Sequence, residues 1–213
     1  MKLEEEIEKL NQIIIKMGEQ VVDNLRISIE LYHQYDETKA ALINDDIVDL
    51  QERLIDEMCL NIMVRERPFA KDLRVITGIL KMVTDLERLG DHAEDVRDFS
   101  AKLAKVEHHE CKILNEMVDK TFLMVQNSIK AYIDQDIALA NSVIQEDDII
   151  DSLYDSGLQR IVKHLDDKDY SNAFAVYTTL VIKYVERIAD HAVNIAEWVI
   201  YIASGFHKDK KIF

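Results

Sequence analysis

One proline and five glycines among 213 residues leave almost nothing with which to punctuate a β-rich fold. Cysteine is nearly absent too. Cys59 and Cys111 are isolated, so neither a disulfide framework nor a CxxC metal site is available. Both read as small buried hydrophobes in a reducing compartment. No uncharged run approaches the roughly 18 residues of a membrane span. The start, Met1-Lys2-Leu3-Glu4-Glu5-Glu6, lacks the basic and apolar regions of a signal peptide, so the cytoplasm is the expected location. There is no phosphate-cradling glycine loop, no hydrolytic triad and no nucleophile beside a base, so catalysis is not expected. Basic residues are the scarcer sign: 26 Lys and Arg against 41 Asp and Glu give a net charge of −15. Nucleic acid and anionic lipid should repel such a chain, whereas cations or a basic patch on another protein should attract it.

What the chain does have is charge, 31% of residues, set among long Leu, Ile, Glu and Lys stretches that read as helix. Leu3, Ile7, Leu10, Ile14, Met17 and Val21 step by four and three, the apolar seam of a bundle helix that should run to about Tyr35. Asp36 offers an N-cap for a second helix reaching toward Val64. Pro68 suits the first turn of a third, from about Phe69 to Leu103. The second half repeats the plan: about His109 to Ile133, Asp136 to Leu165, and, after Asp166-Asp167-Lys168-Asp169, Tyr170 to Ser204, capped by Gly205. The expected fold is all-α: six helices in two tandem three-helix bundles related by a pseudo-two-fold. Their bounds are 1–105 and 106–205, with a connection near Lys105–His108 and a loose tail over 206–213.

An eight-residue pattern occurs twice. Leu86-Glu87-Arg88-Leu89-Gly90-Asp91-His92-Ala93 returns as Val185-Glu186-Arg187-Ile188-Ala189-Asp190-His191-Ala192. A packing repeat needs only its apolar positions. Here the charged ones are identical. Glu87 and Asp91 lie one turn apart on one face, where like charges repel by roughly 0.2–0.5 kcal/mol unless a cation sits between them. Such a pair is weak evidence alone, since 41 acids give roughly eight by chance. Each half supplies a partner, however: Asp45 with Asp49, and Asp147 with Asp151. If the hairpins are antiparallel, the midpoint between the first two pairs falls on Pro68. Between Asp147/Asp151 and Glu186/Asp190 it falls between Lys168 and Asp169. Both are places where the chain breaks anyway. Each half would thus hold four carboxylates at one level, an all-oxygen set suited to hard or borderline cations. Asp95 and Asn194, four beyond Asp91 and Asp190, extend the same line. His92 and His191 sit about 140° around the helix from Glu87 and Glu186, which favours a structural or supporting role over ligation. Arg88 and Arg187 are placed to pair with acids of a neighbouring helix.

Arg65-Glu66-Arg67-Pro68-Phe69-Ala70-Lys71-Asp72-Leu73-Arg74, leading into the first motif, resembles the first half of the PhoU family. Glu146-Asp147-Asp148-Ile149-Ile150-Asp151 with Val185 to Ile195 resembles the second, and the likeness runs from about Met1 to Gly205. Ala189 departs from it, standing where glycine is usual. The resemblance implies tandem three-helix bundles with two surface metal sites. Asp45, Asp49, Glu87 and Asp91 would form one, and Asp147, Asp151, Glu186 and Asp190 the other, for divalent or trivalent ions such as iron, zinc, magnesium or manganese. It also implies a negative regulator of phosphate uptake and phosphate-starvation signalling. The implied partners are the ATPase and permease of the phosphate ABC transporter, the sensor histidine kinase of the phosphate two-component system, and a second copy of the chain. The implied location is the cytoplasm, peripheral to the membrane through the transporter.

Three other readings remain open on the residues. A metal-free helical adaptor needs only the bundle. A ferritin-like carboxylate enzyme needs a Glu-x-x-His on each of two helices, and only Glu30-x-x-His33 fits. A phosphorelay module needs His92 or His191 exposed on its helix.

Overall fold

The computed structural model describes residues 2–106, 109–207 and 210–211. Seven helices and one minimal strand pair account for the regular structure among the described residues: α1 (Lys2–His33), α2 (Glu37–Ala40), α3 (Asp45–Glu66), α4 (Ala70–Leu103), α5 (Lys112–Asp134), α6 (Ile137–Asp166), α7 (Asn172–Ser204), β1 (Phe206–His207) and β2 (Lys210–Lys211). The architecture is the all-α one expected, six long helices in two similar sets.

Three local expectations need correction. Asp36 does cap a helix, its carboxylate accepting from the Thr38 and Lys39 amides, but only the single turn of α2. The chain then drops Ala40 and Ile43 onto Leu31 in a small separate cluster, and the long helix restarts at Asp45. Burying those two side chains outweighs helical continuity. Pro68 lies just outside α4, not in its first turn: Arg67 closes α3 in the left-handed region at φ 47°, and Phe69 is the extended N-cap. The tail is less loose than expected. Gly205 ends α7 at φ 84°, β1 pairs with β2, and the His207 ring stacks on Trp198 at 4.0 Å. The remaining tail residues, like Glu107 and His108 of the connection, lie outside the described residues.

The seam of α1 is buried as its spacing requires, with Leu10, Met17 and Val21 fully inside. Cys59 and Cys111 are buried and free, and burial pushes both thiols up. One apolar cluster runs through both halves, from Leu10 to Val199. Its axis is the antiparallel pair α4 and α7. Thr77 faces Tyr201, Asp85 faces His191, His92 faces Tyr184 and Phe99 faces Tyr177. Applying the sequence repeat to the Asp85–His191 contact yields Tyr184–His92, which is present, so the duplication is also a spatial two-fold. The α1–α5 seam is likewise reciprocal: Tyr32 bonds Asn115 and Tyr132 bonds Asn11.

Candidate functional site: two groups of acids

Each half of the molecule brings its acids together on two adjacent helices. In the first, α3 carries Asp45 and Asp49, and α4 carries Glu87 and Asp91. The turn at Arg67–Phe69 sets them at one height, as the hairpin midpoint requires. Asp45 is the most strained member electrostatically. Burial, then the charges of Asp91, Asp49, Glu94 and Glu87, push its carboxyl up to about 7. Its Oδ1 is buried with no hydrogen-bond partner; Oε2 of Glu87 is buried too, facing only the Arg88 guanidinium, and burial and Asp91 push that carboxyl up. The close approach depends on Gly90, where a β-carbon would lie 2.2 Å from Asp45 Oδ1.

The second group has the same plan on α6 and α7. Burial, with Asp151, Asp190, Asp148 and Glu186, pushes Asp147 up to about 6, and burial with Glu186 pushes Asp190 up. Here a cation is built in: Lys183 Nζ lies 2.5 Å from Glu186 Oε2. The repeat places Thr84 at that position in the first half. Arg88 serves there instead, against the expectation that it would reach a neighbouring helix. It pairs within α4, Nη1 2.7 Å from Asp91 and Nε 3.3 Å from Glu87. Arg187 has no such arrangement and lies near His92 and Tyr184.

Asp95 and Asn194 are not brought into these groups. Asp95 holds His92 Nδ1 at 3.2 Å, and Asn194 donates to Asp85 at 3.1 Å. The reason is helical pitch: eight residues past Glu87 is about 80° off its line, whereas seven is only about 20° off. Glu94, seven along, therefore stays on the acidic face and acts on Asp45. Glu52, seven beyond Asp45, also stays on that face, where it acts on Glu87 and is itself pushed up by burial, Asp56 and Asp49. Both were legible from an i, i+4, i+7 count.

Asp85 was not, because it belongs to a different site. It accepts from His191 Nδ1 at 2.8 Å and from Asn194, joining the two halves. His92 and His191 lie against each other with ring centroids 5.5 Å apart, so both histidines face the α4–α7 seam rather than the acids. His92 is buried and burial pushes it down, so it is not the exposed imidazole a phosphorelay requires; His191 is partly exposed, but its Nδ1 is held by Asp85. Glu30 of the lone Glu-x-x-His is taken up by Lys39 and Arg26. Replacing Asp85 by Ala should cost about 2 kcal/mol, read as a lowered urea midpoint, because His191 and Asn194 lose a mostly buried acceptor.

The acids form oxygen-rich patches with more negative charge than the adjacent cations balance. Among the described residues, no three His, Cys, Asp or Glu side chains are already drawn into a ligand cage. The orphaned oxygen, Asp45 Oδ1, still fits a hard cation, since it is an electron-pair donor held out of water without a proton to accept. Gly90 governs how deeply it sits. Gly90→Ala should swing Asp45 toward water and lower its pKa toward that of Asp147, while the new β-carbon, 3.2 Å from Cγ1 of fully buried Val48, offsets alanine's better helix propensity and leaves the melting temperature within about 2 °C of the wild type. An NMR titration of Asp45 alongside a thermal melt checks both.

A family model described as the PhoU domain matches residues 14–99 and again 114–199, one match per acidic group. The chain is 32% identical to a phosphate-specific transport system accessory protein PhoU homolog of Clostridium acetobutylicum, over 97% of this chain and 96% of that one. To the corresponding homolog 1 of Thermotoga maritima it is 33% identical, over 95% and 89%. Its fold superposes on the crystal structure of PhoU from Pseudomonas aeruginosa with a TM-score of 0.91, at 31% identity over 95% of this chain and 99% of the other. These matches, and the twofold occurrence of the domain, make this chain a member of the PhoU family.

Proposed function

We propose that the protein is a non-enzymatic negative regulator of phosphate uptake and phosphate-starvation signalling that loads metal ions at its two carboxylate groups. Its partners in this reading are the ATPase and permease of the phosphate ABC transporter and the sensor histidine kinase of the phosphate two-component system. It works as a pair of identical copies, in the cytoplasm, held peripherally at the inner membrane face by the transporter. The regulatory part is carried by full-length similarity to proteins named as accessory to phosphate-specific transport. Consistent with peripheral attachment, no helix among the described residues is long and apolar enough to cross a membrane.

The metal part is supported by the orphaned Asp45 Oδ1. Asp45, Asp49, Glu87 and Asp91 would hold the first ion or ions, and Asp147, Asp151, Glu186 and Asp190 the second. A bound cation would balance the acids, and in the second group would compete with Lys183 for Glu186. Iron, zinc, magnesium and manganese all accept such oxygen donors. The regulatory reading is tested by deleting the gene and following phosphate uptake in phosphate-replete cells, with a pull-down of the transporter ATPase from the parent cells that retain it. Raised uptake with co-purification is expected. Unchanged uptake and no co-purification would overturn it.

A further inference from the structure

The outer side of α3 carries an apolar face that its duplicate lacks. Ile47, Leu50, Leu54 and Val64 are 41, 66, 45 and 75% exposed, on the side of the helix turned away from its buried Val48, Ile55, Cys59 and Ile62. When Asp45 is aligned with Asp147, the matching positions on α6 are Ile149, Ser152, Ser156 and Asp166, and all are exposed. The same fold therefore stands with a mostly polar surface there. Packing within the chain does not explain three large hydrophobes on α3 where α6 has two serines and an aspartate.

We propose that this face packs against the same face of a second copy, α3 on α3, antiparallel about a two-fold axis. The inference rests on the reading that the protein works as a pair. Two observations carry the choice of occupant. The four side chains expose on the order of 450 Å² of apolar surface, taking roughly 200 Å² for a fully exposed side chain. That is close to the apolar share of a standard interface of about 800 Å² per partner. The exposed side of the helix is also oppositely charged at its two ends, with Asp46 at the start and Arg65 near the close, while the last residue, Glu66, falls on the half-buried flank. An antiparallel pairing that sets Asp46 of one copy opposite Arg65 of the other also sets Ile47 opposite Val64, Leu50 opposite Asn61 and, next to the axis, Leu54 opposite Glu57, twice over by symmetry. A parallel pairing would bring acid to acid and base to base. The acids facing α4 lie on another flank of α3 and stay open to solvent in this arrangement.

Analytical ultracentrifugation of the full chain, with Leu50→Asp plus Leu54→Asp as the test variant and Ser152→Asp plus Ser156→Asp as its α6 control, decides the matter. All four positions are exposed, so unchanged helical circular dichroism is expected for both variants. A wild-type dimer whose dissociation constant rises at least about 100-fold in the α3 variant and not in the control is expected. In a third variant, Asp46→Cys plus Arg65→Cys should give an intermolecular disulfide on mild oxidation, the native cysteines being buried. A wild-type dimer that survives the α3 substitutions, or that yields no 46–65 crosslink, overturns this surface but leaves the paired reading standing. A chain that stays monomeric overturns both and leaves the face to a different protein.

Discussion

Asp45→Asn combined with Asp147→Asn is expected to melt roughly 5–15 °C above the wild type when both are stripped of metal at pH 8. Substitutions at buried polar positions usually destabilise, so the sign itself is diagnostic. In the folded chain Asp45 is pushed up to about 7 and Asp147 to about 6, against about 3.9 for an unfolded Asp. At pH 8 both must ionise beside Glu87, Asp91, Glu186 and Asp190. Removing each charge relieves about 1–2 kcal/mol, after allowing for the partly solvated site and for an amide left without full hydrogen bonding. Differential scanning calorimetry with and without chelator reads the change. A variant that melts below the wild type in chelator would show that the acids are mutually satisfied.

Metal-free wild type should accordingly lose stability as pH rises from about 4 to about 7, and then level off. Below the unfolded value near 4, Asp45 and Asp147 are protonated in both states and contribute nothing. Between 4 and 7 the folded chain keeps protons that the unfolded chain has released, so the slope of stability with pH is negative. Above 7 the full penalty is in place. Glu87 and Asp190, pushed up as well, add to the same slope. Metal should reverse it, because the cation binds the ionised folded state. At a hundred times the dissociation constant, each site adds about 2.7 kcal/mol. Urea denaturation at pH 5 and pH 8, with and without added divalent ion, measures both arms. Identical curves with and without metal would favour the metal-free adaptor.

Much of this was written in the sequence, because helices obey simple counts. The 4–3 seam of α1 and the repeated motif required only periodicity, and the two hairpin midpoints placed Asp45 beside Asp91 without coordinates. Legibility failed where packing between elements decides. Asp95 and Asn194 continue the acidic line by a count of four, yet over two turns the drift of the helix carries them to the α4–α7 seam. Asp85 pairs across 106 positions with His191, and no local pattern marks it. Lys183 could have been noticed only by asking what the repeat changes, Thr84 to Lys183, rather than what it keeps. The break between α2 and α3 depended on Ala40 and Ile43 finding Leu31, a contact that capping chemistry at Asp36 does not encode.

Elemental analysis of protein purified without chelator, and of Glu87→Gln with Glu186→Gln treated identically, tests the central claim most directly. Each substitution removes one carboxylate charge from its group at nearly constant shape, so helical content should not change. The wild type is predicted to carry divalent or trivalent metal at both groups, and the double variant to lose most of it. Equal metal content in the two proteins would contradict the assignment of these acids as the metal sites.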